Sequence, residues 1–416
     1  MRRIRIGTLI LATALAVVMA ACGGKSGSKA TATTTTSAAG ASATASPPSG
    51  PPIQVGVSTD LTGPTSYLGT AELAGLQTYI DYLNRNGGVN GRPIKLTVLD
   101  NRFNATTTVN QYRELVSNHV LFVTGLEGSV AASASAPLAV ESKTAAIPQA
   151  YVSKFHTQPQ PYLFALDMSP VVSAKLQMAF VQQLAQKANI AAPRISAYSI
   201  DTPAAQEYRE AIQAEARSRG WTVVDMEQIP LASTDVSAQA SKTAAAKPDF
   251  VVSLLLDPQL SLVVPALRQA GVSTPVVEGF YGNESETFAH INDGQAYAIR
   301  DIVPIVKDSD VPAVKTMLER AQAAGLAPKQ DLYMFGLGYI SGMVFENALK
   351  KCGADCTPEK FNTALESVGT VDTAGLSGPV SFSATKHYLV SYGRPYRWDP
   401  QSGRLVAVGD WATASP

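Results

Sequence analysis

Ile53, Val55 and Val57 alternate with Gln54, Gly56 and Ser58, and the period then changes: Leu73, Leu76, Ile80 and Leu83 recur at three- and four-residue spacing. The first pattern puts apolar side chains on one face of a strand, and the second draws one stripe along a helix. NGGVNGRPIKLTVLDN, residues 86–101, follows, and Ile94, Leu96 and Val98 resume the alternation. A phosphate loop aims backbone N–H groups at an anion where a helix opens, with Lys and Ser or Thr behind them. Here the glycines close a helix instead. The stretch predicts a helix, a left-handed stop, a tight turn and a strand, with Gly87, Gly88 and Gly91 at positive φ.

The same grammar repeats. IQVGVS, IKLTVL and VLFVTG read as strands, and the segments from Gly69, Ala105 and Ser129 as helices. ISAYSID, WTVVDMEQI, FVVSLLL and TPVVEGF are separated by helical patterns at 204–219, 237–246 and 260–270. Strand and helix in turn predict an α/β fold of parallel sheets with right-handed crossovers. The tail differs: helices near 311–324 and 333–351 give way to SGPVSFSATKHYLVSYGRPYRWDP and RLVAVGDW, which read as antiparallel strands. The roughly 364 residues from Ile53 onward exceed the usual size of one core. We therefore expect two doubly wound parallel-sheet lobes joined by several hinge crossovers, with 53–166 plus 303–377 as lobe one and 167–302 plus 378–416 as lobe two. A cleft between two such sheets is a ligand-clasping geometry.

The N-terminus changes the picture of where the chain works. MRRIRIGTLILATALAVVMAAC has Arg2, Arg3 and Arg5, an apolar run from Ile6 to Met19 and small residues meeting Cys22. This predicts a signal peptide over residues 1–21, too short for a full membrane span. Val18 to Cys22 resembles the lipobox of bacterial lipoproteins, in which the cysteine is lipidated; a simple secretory signal cleaved after Ala-x-Ala is the alternative. From Cys22 to Pro52 the chain is Gly, Ser, Thr, Ala and Pro almost without interruption, a composition that buries no core and reads as a flexible tether. Cys352 and Cys356 remain, in CGADC, where an oxidising compartment favours a local disulfide and a zinc site lacks two further ligands.

Composition narrows the partners. The chain has 416 residues, 33 basic against 33 acidic, so no concentrated positive face is available for nucleic acid. His119, His156, His290 and His387 lie far apart without metal-ligand spacing. Ser383 to Lys386 matches the SxxK pattern of acyl transferases, but its partner motifs SDN and KTG are absent. Neither catalysis, a metal nor a cofactor is called for.

VGVSTDLTGPTSYLG, NGGVNGRPIKLTVLDN, KTAAIP (Lys143 to Pro148) and SGPVSF (Ser377 to Phe382), in that order behind a lipobox, resemble the type I periplasmic binding proteins, specifically the leucine/isoleucine/valine-binding receptors of ABC importers. The resemblance covers nearly all of residues 53–410. It implies a ligand at the C-terminal ends of strands in both lobes. Residue by residue, the carboxylate contact at a helix start falls on Ser129, with Glu127 two residues before it. The aromatic after the first strand falls on Leu68, with Tyr67 adjacent, and the contact after KTAAIP falls on Ala150, followed by Tyr151. In lobe two the first aromatic falls on Ala204, the next on Leu256 or Asp257, and the acid that pairs an ammonium on Gly279, with Glu278 one residue away and Tyr281 in the same stretch. Ser129 fits physically, since a helix N-terminus attracts an anion; it could equally cap its helix. The departures in lobe two leave a transport role better supported than amino acid specificity.

The resulting expectation is a monomeric, extracytoplasmic solute receptor anchored through Cys22. It captures an amino acid or related small polar or amphiphilic molecule and delivers it to importer permease subunits. The alternative is a ligand-binding sensor working with a separate signalling partner.

Overall fold

A computed structural model describes residues 47–149, 152–153, 157, 159–279 and 282–416. The signal peptide, Cys22 and most of the tether, along with Ala150, Tyr151, His156 and Tyr281, lie outside the described residues.

The first half alternates as the periodicity predicts: β1 (Ile53–Thr59), α1 (Ser66–Arg85), β2 (Ile94–Asp100), α2 (Ala105–Ser117), β3 (Phe122–Gly125), α3 (Ser129–Ser142) and β4 (Ala145–Pro148). The strands form a parallel sheet in the order β2-β1-β3-β4, with Val57 between Val98 and Thr124. The turn after α1 takes the expected form. Gly87, Gly88 and Gly91 have φ of 93°, 70° and 74°, and the Gly88 amide reaches back to the Leu83 carbonyl at 2.8 Å, closing the helix with a left-handed stop.

A second run follows: α4 (Pro170–Lys187), β5 (Arg194–Ile200), α5 (Pro203–Arg219), β6 (Thr222–Ile229), α6 (Ser237–Ala246), β7 (Phe250–Leu254), α7 (Asp257–Gln269), β8 (Val276–Glu278), α8 (Ser285–Ile291) and β9 (Ala296–Arg300). Two of these helices open alike: Ser169 and Thr202 accept from the amides of Val172 and Ala205, with Pro170 and Pro203 at the first helical position; α7 carries Pro258 in its first turn but has no capping side chain. β7 is buried along its whole length, which explains why FVVSL reads as a continuous apolar run and not as an alternation.

The chain then returns to the first sheet with α9 (Pro312–Ala324), α10 (Tyr333–Cys352) and α11 (Pro358–Glu366), of which α10 packs along α1. The Cys352–Cys356 disulfide ends α10, with Cα atoms 5.2 Å apart, and Thr357 caps α11 by accepting from the Lys360 amide. β10 (Gly369–Val371) and β11 (Val380–Phe382) make a small antiparallel pair of their own. β12 (Tyr392–Asp399), β13 (Arg404–Ala407) and β14 (Ala412–Thr413) extend the second sheet, whose order is β13-β12-β9-β8-β7-β5-β6 with β14 beside β12. It is parallel from β6 to β9 and antiparallel beyond, as the tail's pattern predicts.

The chain passes between the sheets three times, and the passages lie side by side. Ala165 donates to the His387 carbonyl and accepts from the Leu389 amide, at 2.8 and 2.9 Å, and Val303 donates to the Leu376 carbonyl at 2.9 Å. The His387 ring is structural here, stacked on Phe164 with Nδ1 3.1 Å from the carbonyls of Gln160 and Leu163.

Candidate functional site

The C-terminal ends of strands in both sheets point at one region, so the helices that follow them begin there. α1, α3, α5 and α7 all start at the same cavity, and so does α10. The cavity holds about 60 Å³, room for roughly four or five waters. The first sheet contributes Thr65 and Leu68 from the start of α1, Phe103 from the loop after β2, Glu127, Gly128 and Ser129 from the start of α3, and Gln149 from the end of β4. Facing them are Ile200, Thr202 and Ala204 around the start of α5, Leu231 after β6, and Leu256 before α7, with Met334 from the first turn of α10. The walls are mostly apolar. Helix N-termini around an apolar space add positive potential without requiring a basic side chain, although at α10 the Tyr333 and Met334 amides already donate to the Glu284 carboxyl.

The loop between β1 and α1 is built by two aspartates. Asp60 accepts from the amides of Gly63 and Thr65 and from the Thr65 hydroxyl, and Asp100 accepts from the Leu61 amide and the Thr62 hydroxyl. These bonds fix Thr65 and Leu68 against the cavity.

Ser129 is the first residue of α3, and Gly128, at φ 88°, occupies the capping position. Ser129 therefore does not cap its helix. Its hydroxyl makes no hydrogen bond among the described residues, although the residue is only 8 % exposed and lines the cavity. Glu127, 4 % exposed, takes the Thr59 hydroxyl at 3.0 Å and the Asp60 amide at 2.5 Å, both on Oε2. Burial pushes its carboxyl up to about 7, against the pull of those two bonds. Glu72 on α1 is also buried, and burial followed by the charges of Glu127 and Asp167 holds its carboxyl well above the usual range.

The remaining sequence candidates sort by geometry. Leu68 and Ala204 line the cavity, and Ala204 also packs into the apolar cluster of Leu126, Ala132 and Ala136, joining α5 to α3. Of the pair Leu256 and Asp257, Leu256 lines it, while Asp257 turns away to accept from the Glu284 amide and the Thr287 hydroxyl. Burial raises Asp257 to about 6. Tyr67 on α1 lies near Asp257 at the start of α7 without closing a hydrogen bond of normal geometry, and its ionisation is pushed up by burial and by the carboxylates of Asp257 and Glu284. Glu278 lies inside the second sheet, fully buried, accepting from the Ser253 hydroxyl at 2.6 Å and the Leu255 amide at 3.0 Å, with burial lifting it to about 8. It does not reach the cavity. The SxxK pair is likewise not assembled: the Lys386 ammonium bonds the Ser381 hydroxyl at 3.0 Å, not Ser383, and burial brings it down to about 8.

Sequence reasoning did not name Thr65, Phe103, Gln149, Thr202, Leu231 or Met334. Two had a signal. Thr202 precedes Pro203 as a helix cap, and Gln149 directly follows the KTAAIP stretch. Phe103 follows Arg102 with both residues at left-handed φ, 54° and 53°, a conformation nothing in NRFNAT announces. Leu231 and Met334 reach the cavity only through the fold.

The sequence pattern of the periplasmic binding protein family matches residues 52–404. A Leu/Ile/Val-binding protein of Rhizobium johnstonii is 24% identical over 359 residues, covering 86% of this chain and 94% of that one. Two solved structures share the fold. A fatty acid ABC transporter substrate-binding protein from Thermomonospora curvata has a TM-score of 0.75 at 22% identity, over 89% of this chain and 95% of the other. A branched chain amino acid ABC transporter protein from Thermus thermophilus with bound valine has a TM-score of 0.78 at 17% identity, over 87% and 97%. These are transporter substrate-binding proteins and not enzymes, and a match over residues 52–404 to their shared pattern means that this chain belongs to the periplasmic binding protein family.

Proposed function

We propose that this protein is the extracytoplasmic solute receptor of an ABC importer. It captures a small solute with an apolar body between the lobes formed by 53–166 plus 303–377 and by 167–302 plus 378–416, and presents the closed form to permease subunits. The observation that supports this reading is the cavity itself. It sits between two sheets, at the starts of five helices, with side chains from both sides and three adjacent crossovers about which the sides can open. Relatives whose names state a fatty acid or a branched chain amino acid are consistent with an apolar body. In this reading the receptor acts as a monomer and is held at the membrane by lipid on Cys22; among the described residues no helix is long and apolar enough to cross a membrane.

A thermal-shift panel of amino acids, amides, short organic acids, aromatic acids and polyols tests it. A true ligand at one hundred times its dissociation constant adds about 2.7 kcal/mol, several degrees in melting point. Absence of a shift with every class would overturn the receptor reading.

A further inference from the structure

We propose that the solute is an apolar monocarboxylate, and that it is held as a carboxylic acid–carboxylate pair with Glu127, the two groups sharing one proton. The inference rests on the receptor reading and adds the chemistry of its ligand. Ser129, more than nine-tenths buried as a residue, supplies a hydroxyl that makes no hydrogen bond among the described residues, at the first turn of α3, where backbone N–H groups face the cavity. Glu127 lies two residues earlier on the same wall. Its Oε2 is occupied by Thr59 and Asp60, and among the described residues its Oε1 takes no hydrogen bond. A ligand carboxylate drawn to the start of α3 therefore meets a second carboxyl group.

Charge decides what that meeting looks like. Among the described residues, the charged groups that act on Glu127 are Asp60 from the loop after β1 and Glu72 from α1, and Asp167 acts in turn on Glu72; all are acidic. Two ionised carboxylates in this setting repel strongly, so one proton stays between them. The remaining single negative charge lies at the start of α3, whose N-terminus favours an anion and disfavours an ammonium. The walls formed by Leu68, Phe103, Ile200, Leu231, Leu256 and Met334 accept an apolar body.

Calorimetry with benzoate, octanoate, benzylamine, benzamide and leucine, in two buffers of different ionisation enthalpy, reads both affinity and protons. Because Glu127 loses its proton near pH 7 in the absence of ligand, the acids should bind with uptake of up to one proton above that pH. Their affinity should fall about tenfold per pH unit between about 7 and 8.5. Glu127→Gln, which keeps a donor but no titrating proton, should flatten that profile, and the proton count on the parent protein gives the same answer if the variant fails to fold. Acid affinity that stays flat or rises over this range overturns the proposal. So does preferential binding of benzylamine or leucine with proton release, although either outcome leaves the receptor reading standing; silence from the whole panel and from the thermal screen overturns both.

Discussion

Gly75 and Gly338 lie against each other's helix where α1 crosses α10: a Cβ on Gly75 would stand 1.9 Å from the Phe335 carbonyl oxygen, and one on Gly338 2.0 Å from that of Glu72. Backbone meets backbone there. The crossing also sets the cavity, because α1 carries Leu68 and α10 carries Met334. Gly75→Ala must force the helices apart and should cost roughly 1 to 3 kcal/mol, as overpacked cores do. Urea unfolding measures it, and an unchanged midpoint would show that the helices yield more easily than their contact implies.

Stability should decline as pH rises through neutrality. Glu278 ionises in the fold only near pH 8, against an ordinary value near 4.5, so the folded chain holds this proton more tightly than the unfolded chain. Folding is favoured at low pH, and the advantage is lost progressively from about 4.5 to about 8, at about 1.4 kcal/mol per pH unit for a full proton. Glu127, Asp257 and Asp301, raised to about 7, 6 and 6, act in the same direction. Glu278→Gln should therefore lose less stability between pH 5 and pH 8, roughly, than the parent does. Parallel pH profiles for the two proteins would refute the assignment.

The Cys352–Cys356 disulfide closes a loop of sequence separation 4 between α10 and α11, and the loop also receives Arg92, which donates to the Ala354 carbonyl at 3.0 Å. A short loop restrains the unfolded chain little, so the bond should contribute near the low end of the usual ~2 to 4 kcal/mol. Intact mass before and after reduction and alkylation checks it. Two thiols that alkylate freely in unreduced exported protein would rule the bond out.

How much of this was legible in the sequence depends on the range of the interactions. The starts of α2 and α3 fall on Ala105 and Ser129, and the left-handed stop after α1 on Gly87 and Gly88, because caps and glycines act over a few residues. The antiparallel tail was legible from its alternation, but the separate pairing of β11 with β10 was not, since strand partners are not written locally. At the site, the positions that the family resemblance pointed to at helix starts line the cavity: Leu68, Ser129 and Ala204. Glu278 illustrates the limit. A shift of one residue reverses the face of a strand, and here it sends the side chain into the sheet instead of the cleft.

Cys22 is expected to carry lipid, given the small residues before it and the Gly/Ser/Thr/Ala/Pro run after it. Cys22→Ser should abolish incorporation of a labelled fatty acid into the exported protein. Equal label in variant and parent would sink the anchor.

Ser129 offers the sharpest separation between scaffold and site. If its hydroxyl capped α3, removal would cost about 1 kcal/mol of stability and leave solute affinity alone. The geometry argues otherwise, because Gly128 holds the capping position and the Ser129 hydroxyl makes no hydrogen bond among the described residues while lining the cavity. Ser129→Ala should then leave the unfolding midpoint close to that of the parent, since no bond within the chain is broken. Binding of a carboxylate solute should weaken by about 1.5 to 3 kcal/mol, the range for losing one hydrogen bond to a charged group. Isothermal titration and urea unfolding on the same variant separate the two roles. A loss of stability with unchanged affinity would return Ser129 to the scaffold and move the carboxylate site elsewhere in the cleft.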